Sequence, residues 1–328
     1  TMKVLFIGGS GIISSACTAL AIDEGIDLYL LNRGQTGLRP IPAAAQVLHA
    51  DIRQPAPAAA ALAGHTFDAV VDWIAFTTDH VAVDLELFRG RVGQFIFISS
   101  ASAYQKPPQR LPSTEDTPLD NPFWQYSRNK AACEAMLTAA YRDEGFPATI
   151  VRPSHTYDAT LLPFHGGYTT LARLRRGAPL LIHDDGESLW TLTHHRDFAR
   201  AFVPLLGEPR AIGEAYHITS DEVLTWNEIA RLLAAAAGLS ADLVHVPSTT
   251  IATYDAGLGD SLLGDKAHNT TFDNSKIRTI VPGFAAEIPF AEGAREIVAW
   301  YDAHPEAQRV DTAYDVLLDR IIADARGK

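Results

Sequence analysis

Tyr126 and Lys130 stand four residues apart in Tyr126-Ser127-Arg128-Asn129-Lys130. On a helix that spacing puts both side chains on one face, a turn apart. An ammonium held near a phenol favours phenolate, so a tyrosine with an ordinary pKa of about 10 can exchange a proton closer to neutrality. The pair alone is ambiguous, because two exposed surface residues give the same string. A cluster of hydroxyls upstream narrows the reading. The apolar run Phe95-Ile96-Phe97-Ile98 reads as a buried strand and ends in Ser99-Ser100-Ala101-Ser102-Ala103-Tyr104. A serine at the carboxyl end of a central strand can hold a substrate oxygen while a tyrosine moves the proton. The connection between Ser100 and Tyr126 carries Pro107, Pro108, Pro112, Pro118 and Pro122, and is expected to roof part of a cleft.

The elements that must position these groups begin at the N-terminal end. Residues 3–7 form a continuous apolar run halted by glycine, the pattern of a buried strand. Gly8-Gly9-Ser10-Gly11-Ile12-Ile13-Ser14 follows, then a helical pattern to Ala21, then a strand over 28–31. Strand, glycine turn, helix and strand in this order predict a dinucleotide site. Gly8 permits the tight turn, Gly11 lets the backbone approach a pyrophosphate, and Ile12 and Ile13 lie at the helix start, where N–H groups meet its charge. Ser14 occupies the place of a third glycine, at some loss of helix–strand closeness. The second strand ends in Asn32-Arg33 rather than in an acid. Arg33 could bind a 2′-phosphate, stack on adenine or face solvent. The cofactor is therefore NAD or NADP, with the local chemistry leaning toward NADP. Asp51 and Ile52 end the strand over 46–50 and suit an adenine edge. Ala75, after the strand over 67–73, is a further cofactor contact. Repeated βα units with buried strands predict a Rossmann-type doubly wound parallel sheet.

Size and charge exclude other classes. The chain has 328 residues, 47% hydrophobic and 20% charged, enough for a large core. A net charge of −12 argues against nucleic acid or an anionic membrane as partner. No apolar run approaches the roughly 20 residues of a membrane span, and a cytoplasmic protein is expected. Cys17 and Cys133 fall in helical patterns and read as buried free thiols rather than a disulfide. The patch Arg173, Arg175 and Arg176 reads as a solvated helix end.

Taken together, Gly8-x-x-Gly11-x-x-Ser14, Ser99-Ser100-Ala101-Ser102-Ala103-Tyr104, Tyr126-x-x-x-Lys130 and Arg152-Pro153 resemble the extended short-chain dehydrogenase/reductases of the NAD-dependent epimerase/dehydratase family. The likeness runs nearly the whole length and includes Val281-Pro282-Gly283-Phe284. It implies an α/β fold with a smaller C-terminal α/β substrate lobe. The expected division is 1–155 for the dinucleotide domain, with later segments near 190–220 returning to it, and 156–328 for the substrate lobe. It also implies Ser100 as oxygen holder, Tyr126 as acid–base, and Lys130 as the group that lowers the tyrosine pKa and binds the nicotinamide ribose. In this family the helix carrying Tyr126 often pairs in a homodimer; here it presents Ala131, Ala135, Met136, Ala139 and Ala140.

Two departures bear on the reaction. Dehydratases of the family carry an acidic pair after the serine, to expel water. Ala101 and Ser102 stand there, which argues against dehydration; with the family's precedent the expectation leans to epimerase-like chemistry over net redox, on a carbinol carbon of a sugar or sugar-nucleotide-like substrate. His183-Asp184-Asp185-Gly186 is similar to a family turn after which an arginine commonly meets a nucleotide-sugar diphosphate, yet Trp190 takes that place. An indole can stack on a sugar or base but cannot neutralise phosphate. Either Arg173, Arg196 or Lys266 supplies the charge, or the substrate has no diphosphate. Ser102, His155 and Trp190 are the candidate substrate contacts. Thr193-His194-His195-Arg196-Asp197 offers no metal spacing, since adjacent histidines diverge, and Asp197 suits a structural role. An NADP-dependent reductase of a non-nucleotide molecule is the alternative enzyme. A non-catalytic nucleotide sensor or an RNA-binding relative is the alternative of another class.

Overall fold

The computed structural model describes residues 1–34 and 37–327. In chain order the first half runs β1 Lys3–Ile7, α1 Ser14–Asp23, β2 Asp27–Asn32, β3 Gln46–His49, α2 Pro55–Leu62, β4 Phe67–Asp72, α3 Thr78–Phe88, β5 Val92–Ile98, α4 Gln125–Glu144 and β6 Ala148–Pro153. The second half continues β7 His155–Tyr157, α5 Thr169–Arg175, β8 Leu180–His183, β9 Leu189–Trp190, β10 Leu192–His194, α6 His195–Phe202 and β11 Ala215–Ile218. It closes with β12 Leu224–Thr225, α7 Trp226–Ala236, β13 Leu243–Val246, α8 Ser248–Tyr254, α9 Ala256–Ser261, α10 Ser275–Ile280, α11 Phe290–Ala303 and α12 Thr312–Ala325.

Seven strands make one sheet in the order β11-β6-β5-β4-β1-β2-β3, every neighbouring pair parallel. The strand order reverses beside β1, and such a switch point opens a ligand crevice at the carboxyl ends. A parallel sheet must be covered on both faces, and here it is. Val4 and Phe6 of β1 pack with Cys17 of α1 and Phe198 and Phe202 of α6, whereas Leu5 and Ile7 face Leu62, Val81, Leu85 and Leu137 from α2, α3 and α4. The period-two alternation of a strand thus feeds two separate cores. Both cysteines are buried free thiols.

Three two-stranded pairs lie outside that sheet: β7 with β10, β8 with β13, and β9 with β12. Their core includes Leu171, Trp190, Trp226, Leu233, Phe290 and Ile297. β11 lies far along the chain yet joins the main sheet beside β6.

One expectation fails in this region. Arg173 is fully buried instead of solvated, held by Asp315 and Asp319 of α12 and by the Pro179 carbonyl. Two acids four apart lie on one face of α12, so the guanidinium pins that helix to α5. Arg175 and Arg176 do stay at the surface. Of the small residues on α4 that could be core or a pairing face, Ala135 is exposed and Ala140 is core.

Candidate active site

Two clefts open at the carboxyl ends of the strands. The first, of about 460 Å³, is walled by Gly8, Ser10, Gly11, Asn32, Arg33, Asp51, Ile52, Arg53, Ile74 and Phe76 among others. Gly8 has φ of +86°, and a Cβ there would lie 2.7 Å from Ile74 Cγ2, so only glycine fits the turn. A Cβ at Gly11 would meet only Ser14 Oγ and the Gly8 carbonyl, which leaves the backbone bare toward the cleft. Ser14 does more than tolerate the third glycine position. Its Oγ accepts from the Gly11 N–H at 2.8 Å and donates to the Gly8 carbonyl at 2.9 Å, clasping the turn.

Arg33 is exposed at the rim, and Asp51 Oδ1 accepts from the Arg53 N–H at 2.9 Å. Arg53, which donates to the Ile74 carbonyl, was not singled out from sequence. Its place two residues after Asp51 at a strand end was the available signal. Ile12, Ile13 and Ala75 are not among the residues that wall this cleft. The Ile12 carbonyl meets His195 Nδ1 at 3.0 Å, and the Ala75 carbonyl accepts from Lys130.

The second cleft, of about 240 Å³, is lined by Ser100, Ser102, Trp124, Tyr126, Ser154, His155, Trp190, Asp265, Lys266 and Phe272 among others. All three expected substrate contacts, Ser102, His155 and Trp190, line it together with Ser100 and Tyr126. Ser100 follows β5 and caps a short 3-10 turn, its Oγ accepting from the Ser102 N–H at 3.2 Å. Ser127 Oγ donates to Ser102 Oγ at 2.9 Å, and Ser102 Oγ lies 2.8 Å from Ser100 Oγ. Three hydroxyls in a row thus end at Ser100.

Lys130 differs from expectation in one respect. Its ammonium donates to the carbonyls of Ala75 at 2.7 Å and Ile98 at 2.8 Å, and sits 5.9 Å from the Tyr126 ring centroid. The Tyr126 pKa is accordingly raised rather than lowered: burial dominates, the Ser100 hydroxyl opposes it, and the Asp265 charge adds to it. The ammonium is held by those two carbonyls, and burial, Ser100 and Asp265 set the resting value of the tyrosine. Burial pulls Lys130 itself down to about 8, against the pull of Asp72.

Helix α4, which carries both residues, is fixed to β6 by a buried two-pronged ion pair. Arg152 Nε meets Glu134 Oε1 at 2.9 Å and Arg152 Nη2 meets Glu134 Oε2 at 2.6 Å. Arg152 also reaches Tyr104 Oη at 3.1 Å, and that hydroxyl lies 2.9 Å from His217 Nδ1. Tyr104 therefore belongs to the scaffold.

On the far wall Trp190 is buried, and its Nε1 donates to His155 Nδ1 at 3.0 Å. The indole is only a donor, so the His155 proton sits on Nε2. Burial, helped by the Lys266 charge, pushes the His155 pKa to about 3 and keeps the ring neutral. Of the three cations considered for a diphosphate, Arg173 is buried against α12 and Arg196 pairs with Glu296 at 2.5 Å outside this cleft. Lys266 alone lines it, its ammonium 5.8 Å from the Trp190 ring centroid and 5.9 Å from that of Trp124. Asp197 accepts from the N–H groups of Glu287 and Ile288, so its role is packing, while His194 caps α6. Among the described residues no group of three or more His, Cys, Asp or Glu side chains is placed to hold a metal.

The fold and the paired clefts define a dinucleotide-dependent enzyme scaffold of the short-chain dehydrogenase/reductase type. The chain belongs to the NAD dependent epimerase/dehydratase family, whose model matches residues 4–219. It is 29% identical over 253 residues to 2′-dehydrokanamycin reductase of Streptomyces kanamyceticus, covering 76% of this chain and 70% of that one. It is 26% identical over 257 residues to the chloroplast stem-loop binding protein of 41 kDa b of Arabidopsis thaliana, covering 74% of this chain and 65% of that one. Among solved structures, dTDP-glucose 4,6-dehydratase of Bacillus anthracis in complex with NAD superposes with a TM-score of 0.74 at 18% identity, covering 94% of this chain and 98% of that one. At that identity the likeness establishes the fold.

Proposed function

We propose that this protein transfers a hydride between a nicotinamide dinucleotide and a carbinol or carbonyl carbon of a sugar-like substrate. The observation that carries the reading is the shared cavity: Ser100 and Tyr126 wall one small cleft at the carboxyl end of β5, with Lys130 locked behind the tyrosine ring. The first cleft fits the cofactor, since its glycine turn is bare toward it and Arg33 and Arg53 offer positive charge to phosphates. Gly8, Gly11, Asn32, Arg33, Asp51 and Ile52 are the residues proposed to hold it, with Ile12, Ile13 and Ala75 at its margins. A bound nicotinamide supplies or accepts the hydride. In the reducing direction Ser100 Oγ hydrogen-bonds the substrate oxygen and Tyr126 Oη gives that oxygen its proton; in the oxidising direction Tyr126 takes the proton back. Lys130 spends two of its three N–H donors on carbonyls and keeps one for a ligand.

Ala101 and Ser102, directly after Ser100, hold no carboxyl there to expel water, which favours redox over dehydration. One of the relatives matched over most of this chain is named a reductase, which favours a cofactor exchanged at each turnover over one retained for epimerisation, although others matched over about two thirds of it are named dehydratases. The family is described as NAD dependent; Arg33 is the residue on which any use of a 2′-phosphate rests. Turnover of ketone and alcohol panels with NADH, NADPH, NAD or NADP tests the reading. Tyr126→Phe is expected to abolish turnover while dinucleotide binding persists. Equal turnover in both proteins overturns the assignment.

A further inference from the structure

Asp265 stands out in the second cleft. It lies on a π-helical turn, Leu262–Lys266, far along the chain from Tyr126, and it lines the same cavity as Ser100 and Tyr126. Single π turns inside helical segments recur at functional sites. Its turn is held against the catalytic turn. Asn121 Nδ2 donates to the Ser102 carbonyl at 2.8 Å and to the Gly264 carbonyl at 2.6 Å, joining the two segments. A Cβ on Gly264 would lie 2.6 Å from Trp124 Cβ, so glycine allows the turn to pack against the start of α4 at Trp124. Yet among the described residues no donor hydrogen-bonds the Asp265 carboxylate, and no cation lies within ion-pair distance of it. Asp265 is half-buried and lines the cleft, so a carboxylate with no protein partner has its lone pairs open to a ligand or to water.

The groups opposite it complete a pattern. The Lys266 ammonium lies 5.9 Å from the ring centroid of Trp124 and 5.8 Å from that of Trp190. The His155 Nε2–H is a fixed neutral donor, by the tautomer argument above. Lys106 lies behind, its ammonium 3.3 Å from Thr270 Oγ1. The cleft thus offers one free carboxylate, donors in Lys266 and His155, and the indoles of Trp124 and Trp190 in its wall, with no arginine among its lining residues. Such a set suits a pyranose, whose hydroxyls donate and accept and whose C–H face stacks on indole. A nucleoside diphosphate would bring about two negative charges to an unpaired carboxylate, with Lys266 as the only cation lining the cleft.

We infer that Asp265 is the specificity-determining residue of this site, accepting a hydrogen bond from a hydroxyl or ammonium substituent of an unphosphorylated saccharide and rejecting nucleoside diphosphates. This rests on the hydride-transfer reading, and its test separates the two. Burial raises the Asp265 pKa, while Lys266, Lys106 and His268 oppose the rise, which is consistent with a group lacking a close partner.

The experiment is calorimetric titration of the NADH-loaded protein with methyl α-D-glucoside, methyl α-D-glucosaminide and UDP, in wild type and Asp265→Asn. Both glycosides are expected to bind wild type. Because hydrogen bonds to a charged acceptor are the stronger kind, Asp265→Asn should weaken them by about tenfold to a hundredfold. The glucosaminide should lose more than the glucoside if the substrate donor is an ammonium, and the two should lose alike if it is a hydroxyl. UDP should give no heat at about 1 mM, and NADH affinity should be the same in both proteins, which reports intact folding. UDP binding with a Kd below about 100 μM, sugar affinity unchanged in Asp265→Asn, or no sugar binding at all would each overturn the inference. Tyr126-dependent turnover of UDP-glucose would overturn it too while leaving the hydride-transfer reading standing. Failure to bind NADH would sink that reading instead.

Discussion

Replacing Lys130 with methionine should change how stability responds to pH. The lysine is 2% exposed, and burial lowers its pKa from 10.5 to about 8. In the unfolded chain a lysine keeps a pKa of about 10.4. Between those two values the unfolded chain holds a proton that the folded chain has released, so stability rises with pH across that window. The gap from about 8 to 10.5 is worth about 3 kcal/mol at roughly 1.4 kcal/mol per pH unit. The folded protein carries that whole cost below pH 8 and sheds most of it by pH 10. Lys130→Met keeps a long apolar stem but removes the titrating group, together with the bonds to the Ala75 and Ile98 carbonyls. Those bonds favour wild type at either pH, whereas the burial cost disfavours it only at the lower one. The advantage of wild type over the variant should therefore grow by about 2–3 kcal/mol between pH 7 and pH 10. Cys133, beside it and pushed to about 11, is present in both proteins and largely cancels. Urea unfolding followed by tryptophan fluorescence at the two pH values measures the difference. An advantage that stays constant to within about 0.5 kcal/mol would refute the claim that Lys130 is a desolvated cation.

Glu134→Ala leaves the Arg152 guanidinium buried with only Tyr104 Oη and the Glu115 carbonyl as acceptors, and should lower stability by about 3–5 kcal/mol in urea titration. A loss under about 1 kcal/mol would mean that the pair does not anchor α4. Gly8→Ala drives a methyl onto Ile74 at positive φ and should weaken NADH binding by at least about tenfold, read by fluorescence titration. Undiminished affinity would place the dinucleotide elsewhere. Arg33→Ala should weaken NADP without affecting NAD if Arg33 meets a 2′-phosphate; equal effects on both would remove that role.

The fold was largely legible because its signals are local. The glycine turn, the apolar runs of β1, β2, β4 and β5, and the start of α4 before Tyr126 each fall within short windows where periodicity and turn chemistry agree. Ser100 and Tyr126 could be read together because strand-end position and helical spacing both constrain them. What escaped was set by contacts distant in sequence. Arg173 looked like a surface cation until Asp315 and Asp319 of α12 closed over it. Lys130 was expected to act on the tyrosine hydroxyl, but its ammonium is held by the carbonyls of Ala75 and Ile98, on other segments. Asp265 reaches the cleft through Asn121 and Gly264, and nothing adjacent in sequence announces that placement. Ser14 was read as a lost glycine because its two hydrogen bonds depend on the turn already being folded.

The most direct test of the account follows the hydride itself. The protein is incubated with NADH deuterated at the transferable C4 position and a panel of sugar-like ketones, and the products are examined by mass spectrometry. Hydride transfer at this site puts one deuterium on the new carbinol carbon with wild type and none with Tyr126→Phe, although both proteins bind the dinucleotide. Product without deuterium, or equal labelling by both proteins, would contradict it.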